Sequence, residues 1–365
     1  MNAGTGTIRH PGVRYGRAMT GIGGVLGGVR NATARSIFKL PRPVLRRLAG
    51  SPVVIDGKTL DVEMQLMLRL LRLEGPPAEA LPIAKARKQV LSSARLAGGN
   101  HPIGAVTERT IDGPGGHVGL RFYTPRGLAS GSPALVYIHG GSFMHGDLDS
   151  HDPICRILAE KSQVRVISVD YRRAPEWPFP AAVDDVWAAW TWVNAHAAGI
   201  GIDPTRIAVG GDSAGGNLSA GVALRAVRDG GPAPAFQLLL YPVTQFGQPT
   251  KSRETYAEGF FLTRVGMDLS DESYLVGDED LSDPRLSPLL NDPTGVAPAF
   301  VVTAGFDPLL DEGEAYAERL RDAGVPVEYH CEEGLVHAFG NMGGLGRSAP
   351  AAIGRIAAAL QRGLS

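Results

Sequence analysis

From residue 106 onward the hydrophobic positions alternate between two patterns. Short apolar runs occupy 106–111, 117–123, 134–138, 164–170, 206–209, 236–241, 299–303 and 325–330. Between and after them lie longer stretches with apolar residues three and four apart, at 181–198, 213–228, 312–323 and 349–364. The short runs, bounded by turn residues, read as buried strands, and the longer stretches read as helices. The first two runs are joined by Asp112-Gly113-Pro114-Gly115-Gly116, a hairpin-type connection. Strands that are apolar throughout and separated by helices predict an α/β fold, a mostly parallel sheet covered on both faces.

Upstream the pattern differs. Leu60, Met64, Met67, Leu68 and Leu71 recur at helical spacing, which predicts an amphipathic helix over 59–73. It is preceded by an Asp56-Gly57 turn and stopped by Gly75-Pro76-Pro77. A second helix is expected over 82–97, ending at Gly98-Gly99. This helical stretch, 36–100, reads as a cap on the domain that follows it, 101–365. A polar, helical insertion at about 245–292 interrupts the strand–helix alternation and reads as a second piece of the cap. Residues 1–35 are Gly-rich, basic and without periodicity, and are expected to be a flexible segment. Their glycines do not follow the G-x-G-x-x-G spacing of a dinucleotide site.

Composition narrows the function classes. The net charge is −1, with no concentrated Lys/Arg tract, which argues against nucleic acid and anionic membrane as partners. No uncharged apolar run reaches the ~18 residues of a membrane-spanning helix. The run 19–29, behind Arg14 and Arg17, loosely imitates a signal peptide but is too Gly-rich to form a good helix. Two cysteines, Cys155 and Cys331, make no disulfide framework and suit a reducing compartment. The expectation is a cytoplasmic protein.

The candidate chemistry centres on 206–223. A strand over 206–209 runs into Gly211-Asp212-Ser213-Ala214-Gly215, and a small-residue helix follows. Chance alone gives about 0.3 G-x-S-x-G matches in a chain with 48 glycines among 365 residues, so the context must carry the motif. Strand, sharp turn and helix, with Ser213 at the apex, form the context of a nucleophile elbow. Functional groups of a parallel sheet gather at the carboxyl ends of its strands. Asp307 follows the strand over 299–303, and His337 follows the strand over 325–330. A serine hydroxyl needs a base, a histidine supplies one near neutral pH, and a carboxylate orients the histidine. Ser213, Asp307 and His337 are therefore the expected catalytic residues.

Their rivals have other expected roles. Asp311 and Glu312 lie close behind Asp307, and Asp311 is expected to cap or support the next helix. His330 lies inside a strand and is expected to be packed. Asp212 is expected to be a local structural carboxylate. His139-Gly140-Gly141-Ser142 follows the strand over 134–138, and small residues there can turn backbone N–H groups toward an oxyanion. The expected oxyanion hole is Gly140, Gly141, Ser142 and Ala214, with Gly141, Ser142 and Ala214 as its best donors. His145, Asp147, Asp149, His151 and Asp152 crowd one loop, but no known metal-ligand spacing fits them. No metal and no cofactor is expected.

Several blocks together resemble a known family. They are His139-Gly-Gly-Ser-Phe143, Tyr171-Arg-Arg-Ala-Pro-Glu-Trp-Pro-Phe-Pro-Ala-Ala-Val-Asp-Asp185, Gly211-Asp-Ser-Ala-Gly-Gly-Asn217, Asp283-Pro-Arg-Leu-Ser-Pro288 and Asp307-Pro-Leu-Leu-Asp-Glu-Gly313. In this order the blocks resemble the hormone-sensitive lipase-like (family IV) esterases of the α/β-hydrolase fold. The resemblance maps nucleophile, acid and base onto Ser213, Asp307 and His337, and the oxyanion loop onto Gly140, Gly141 and Ser142 with Ala214. It implies a serine carboxylesterase that forms an acyl-enzyme with small, uncharged esters of short or medium acyl chain. It also implies a two-part cap and a homodimer paired along the last strand. Ser142 departs from the family pattern, which has a third glycine there. Two other readings use the same fold. One is a small-molecule-binding protein without a working base, as in plant gibberellin receptors; the other is acyl transfer or amide hydrolysis by the same triad.

Overall fold

The computed structural model describes residues 35–73 and 75–365, so the segment expected to be flexible lies almost wholly outside the described residues. Eight strands form one sheet: β1 (Ala105–Gly113), β2 (Gly116–Thr124), β3 (Ser132–Ile138), β4 (Arg165–Asp170), β5 (Ile202–Asp212), β6 (Phe236–Leu240), β7 (Ala299–Phe306) and β8 (Val327–Val336). Their spatial order is β8-β7-β6-β5-β3-β4-β2-β1. β2 pairs antiparallel with both its neighbours, and the other pairings are parallel. The central register sets Ala134–Ile138 of β3 between Ile207–Gly211 of β5 and Arg165–Val169 of β4.

Period-two geometry explains why these strands read as apolar throughout. Leu135 and Tyr137 enter one core with α4 (Asp152–Ser162) and α10 (Ser348–Gly363). Ala134, Val136 and Ile138 enter another core with α5 (Ala181–His196) and α6 (Ala214–Asp229). Toward the β8 edge, α9 (Leu310–Asp322) covers Leu239 and Val301 on the α6 side. The three-layer α/β architecture expected from the pattern is the one observed.

The last strand runs further than its apolar run, to Val336, with an irregularity in its pairing between Glu332 and Val336. One of the two charged residues that hide this extension, Glu332, is neutralised from outside the strand. Arg355 of α10 donates to both oxygens of Glu332, at 2.9 and 2.6 Å. His330 is not packed as expected: its side chain is 45% exposed and lies 3.3 Å from Glu332. β8 is an edge strand; Glu328 and His330 share one of its faces and are both exposed, and Glu328 pairs with Arg362 of α10 at 2.9 Å.

Before the sheet lie α1 (Arg42–Ala49), a short hairpin (Val54–Ile55 with Lys58–Thr59), α2 (Val62–Leu71) and α3 (Ile83–Gly98). Asp61 starts α2 by accepting a hydrogen bond from Glu63 N–H at 2.8 Å. The apolar face of α2, with Met64, Met67 and Leu68, joins the core that holds Ile353 of α10. Buried Glu63 accepts from the N–H groups of Arg347 and Ser348 at 2.7 and 3.0 Å, tying α2 to the start of α10. α3 sits over the loops after β3 and β4, where Arg87 donates to the carbonyls of Met144 and Ala174 at 2.8 and 2.9 Å. The segment after β6 carries α7 (Lys251–Thr255) and α8 (Arg264–Tyr274). It meets the N-terminal elements through Lys251–Asp56 at 2.7 Å and Thr263–Glu79 at 2.9 Å.

Candidate active site

β5 delivers Ser213 into a turn with φ 56° and ψ −119°, a conformation that non-glycine residues rarely adopt. The flanking glycines explain why the turn can form. A Cβ on Gly211 or on Gly215 would overlap the Ile138 carbonyl oxygen, because β3 and the loop after it pass directly against the turn. The strained elbow is thus locked between β3 and α6.

The ends of β7 and β8 bring the other two groups to it. His337 Nε2 lies 2.9 Å from Ser213 Oγ, and His337 Nδ1 lies 2.7 Å from Asp307. The other Asp307 oxygen accepts from Leu309 N–H at 2.9 Å. Ser213, His337 and Asp307 are 7%, 5% and 0% exposed, so the relay is shielded from water along its length. The Tyr241 ring meets the His337 ring edge-on at 4.9 Å, fixing its plane. With Nδ1–H donating to Asp307, Nε2 is left free to accept from the serine hydroxyl.

The rival residues have other partners. Asp311 accepts from Ser252 N–H at 2.8 Å, so it holds the start of α7 instead of capping its own helix. Glu312 is buried and accepts from Thr244 N–H at 2.9 Å and from Arg253 Nε at 2.9 Å. Burial pushes its carboxyl up, against the pull of Arg253.

Asp212 is the centre of a web whose partners the sequence did not announce. Its carboxylate accepts from Tyr137 OH at 2.7 Å, Gly140 N–H at 2.9 Å and the Asn341 amide at 3.1 Å, with His151 Nε2 at 3.3 Å. Burial alone would raise this carboxyl. The adjacent His151 ring and the hydrogen bonds from His151, Tyr137 and Gly140 outweigh burial and hold it well below the usual carboxylate range. This corrects one sequence expectation. The Gly140 N–H is committed to Asp212 and cannot face an oxyanion, so Gly140 anchors the loop and does not donate.

The N–H groups of Gly141, Ser142 and Ala214 have no acceptor among the described residues. Gly141, Ser142 and Phe143 all have positive φ, at 116°, 56° and 55°. Ser142 and Phe143 hold this conformation without a glycine's freedom, at a cost of about 1 kcal/mol or more each. Contacts from α8 hold them there. Ser270 Oγ donates to the Ser142 carbonyl at 2.9 Å, and the Phe143 ring stacks on Tyr274 at 4.0 Å. Beneath the loop, His139 stacks on Tyr171 at 4.3 Å, and burial beside His151 lowers its pKa to about 3. Most acids and histidines of the crowded loop behind it have partners within the protein. Asp147 accepts from Ser150 N–H, Asp149 and Asp152 pair with arginines, and His151 meets Asp212. Among the described residues no group of three or more acids, histidines or cysteines could hold a metal.

A family model described as the alpha/beta hydrolase fold matches residues 135–341, which include Ser213, Asp307 and His337. The chain is 43% identical over 352 residues to the carboxylic ester hydrolase LipN of Mycobacterium tuberculosis, with 93% of each protein covered. The chain belongs to the α/β-hydrolase family, in its hormone-sensitive lipase-like branch. Carboxylesterase NlhH of the same organism is 40% identical over 84% of this chain and 96% of its own length. Among solved structures, an ester hydrolase from the Lake Arreo metagenome, bound to a bipyridine phosphonate derivative, superposes with a TM-score of 0.81. It is 42% identical over 83% of this chain and 98% of that one.

In this α/β-hydrolase a small, narrow cleft stands above Ser213. Its apolar walls come from Phe143, Val243, Phe246, Leu262, Met267 and Leu309, and its polar groups from Ser142, Arg253, Ser270 and Asp271.

Proposed function

We propose that the chain is a serine carboxylesterase acting on small, uncharged esters of short or medium acyl chain. The observation that carries this reading is the unbroken relay Ser213–His337–Asp307, with separations of 2.9 and 2.7 Å, at the floor of the cleft. Ser213 Oγ attacks the ester carbonyl while His337 Nε2 takes its proton. The N–H groups of Gly141, Ser142 and Ala214 receive the negative charge that develops on the carbonyl oxygen. His337 then returns the proton to the departing alcohol, and the acyl group remains on Ser213. Water, deprotonated by His337, attacks the acyl-enzyme and releases the acid. The relatives' names support the same chemistry: LipN and NlhH are called ester hydrolases, and a relative from Pseudomonas putida, 38% identical, is called an ethyl acetate hydrolase.

A base in hydrogen-bond reach of the serine favours catalysis over a binding-only role. The helices of 36–100 and the insertion at 245–292 act together as a two-part cap, since they meet each other and the insertion lines the cleft. Among the described residues no helix is long and apolar enough to cross a membrane. The reading includes a cytoplasmic location and a homodimer paired along the open edge of β8. Sedimentation of the purified protein checks the dimer.

The decisive experiment is turnover of p-nitrophenyl esters from C2 to C16. Hydrolysis with its optimum among the short and medium chains is expected. No hydrolysis of any ester overturns the enzyme reading, and an optimum at C16 overturns the size limit. In the same panel Ser142→Gly is expected to change the chain-length profile, because Ser142 lines the cleft.

A further inference from the structure

The cleft above Ser213 is more polar than a site for simple acyl esters requires. Two charged side chains of the insertion, Arg253 and Asp271, form part of its wall. Arg253 is fixed from behind. Its Nε donates to Glu312 at 2.9 Å, one terminal nitrogen lies 2.8 Å from Glu312, and the same nitrogen donates to the Gln245 carbonyl at 3.2 Å. Glu312 is fully buried and is itself held by Thr244 N–H at 2.9 Å. The guanidinium is therefore charge-balanced and immobile, and its other terminal nitrogen has no hydrogen-bond acceptor among the described residues. Asp271 is the complement. It is partly buried, yet among the described residues its carboxylate accepts no hydrogen bond and makes no ion pair within 4.0 Å. A donor without an acceptor and an acceptor without a donor thus stand in one small cleft. Leaving such groups unpaired costs free energy that a suitable ligand group recovers.

We propose that Asp271 and Arg253 form a polar subsite that selects esters carrying a neutral group able both to donate and to accept a hydrogen bond, a hydroxyl or an amide. This deepens, and rests on, the esterase reading. Such a group donates to the Asp271 carboxylate and accepts from the free Arg253 nitrogen. An anionic substituent meets the Asp271 charge. A cationic substituent meets Arg253. A purely apolar substituent leaves both protein groups unpaired, which is how sites built for a hydroxyl reject its hydrocarbon analogue. The apolar wall of Phe143, Val243, Leu262 and Met267 accommodates the remaining carbon skeleton.

The test compares matched esters on wild type and Asp271→Leu. One pair is p-nitrophenyl butyrate and p-nitrophenyl 3-hydroxybutyrate, with the polar group on the acyl side. The other pair is propyl butyrate and 2-hydroxyethyl butyrate, with the polar group on the alcohol side. In one pair the wild type is expected to favour the hydroxylated ester by about tenfold or more in kcat/KM. Asp271→Leu should reduce that ratio to about one or invert it. Should the leucine variant fail to fold, Asp271→Asn keeps the shape and should lower the ratio at least threefold. Turnover of both members of each pair at equal kcat/KM by wild type overturns the subsite and leaves the esterase intact. So does a preference that survives Asp271→Leu, or a stronger preference for a trimethylammonium-bearing ester. No turnover of any ester overturns the esterase reading, and the subsite with it.

Discussion

Replacing Asp271 by asparagine should stabilise the protein at neutral and alkaline pH and leave it almost unchanged in acid. Burial in the cleft wall pushes the Asp271 carboxyl up to about 6 from an ordinary 3.8. Asp268 on the same helix adds to the rise, while Arg253 opposes it. Each pH unit of displacement is worth about 1.4 kcal/mol. Holding this carboxylate ionised in the fold therefore costs on the order of 3 kcal/mol, and about 1–3 kcal/mol once solvent entering the cleft is allowed for. The sign follows from linkage. The folded state binds the proton more tightly than the unfolded chain does. Stability is therefore fully present below the unfolded value near 3.8, falls as pH rises through about 6, and is level above that. An asparagine carries no charge and avoids the loss. The assay is urea unfolding of wild type and Asp271→Asn at pH 4 and pH 8, followed by tryptophan fluorescence. The variant's advantage should grow from near zero at pH 4 to about 1–3 kcal/mol at pH 8. An advantage that does not depend on pH, or a variant less stable than wild type at pH 8, would show that the buried Asp271 charge does not destabilise the fold. Keeping a residue that destabilises the fold at working pH fits a side chain retained for the substrate.

Three further changes probe how the site is held. Asp212→Asn removes the charge that Tyr137, Gly140 and Asn341 donate to, so unfolding free energy should drop by about 2–4 kcal/mol and kcat by about tenfold or more; urea unfolding and steady-state kinetics check both. Gly215→Ala drives a methyl group into the Ile138 carbonyl, whereas a Cβ on Gly221 of the same helix meets nothing within 4 Å. The first variant should lose more than about 3 kcal/mol or not fold, and Gly221→Ala should gain about 0.5–1 kcal/mol by thermal or urea unfolding. Ser270→Ala removes the donor to the Ser142 carbonyl and should lower kcat about three- to tenfold with little change in KM, because a looser oxyanion loop weakens transition-state contacts more than substrate binding.

Much of the fold was legible because its signals are local. Buried parallel strands read as apolar runs, and the turns between them carry glycine and proline. The positions of Ser213, Asp307 and His337 were legible for a related reason, since each follows a strand whose carboxyl end the sheet brings to one edge. Long-range hydrogen bonding was not legible. Gly140 looked like an oxyanion donor until its N–H was seen bonded to Asp212, 72 residues away. Ser270 steadies Ser142 across 128 residues, and no periodicity in either segment announces it. β8 was cut short at His330 because Glu332 and Glu333 follow soon after, and the neutralisation of Glu332 by Arg355 depends on how α10 docks. Asp311 looked like a helix cap because it opens a helix, yet its acceptor capacity goes to Ser252 of the insertion.

The claim on which the rest depends is that Ser213 is the nucleophile. Incubation with an organophosphonate, followed by intact-mass and peptide mass spectrometry, tests it directly, with Ser213→Ala as the comparison. A single adduct on Ser213 is expected, with loss of ester hydrolysis in step with its formation, and neither adduct nor measurable turnover in Ser213→Ala. An adduct on another residue, or a Ser213→Ala protein that hydrolyses esters at the wild-type rate, would contradict it.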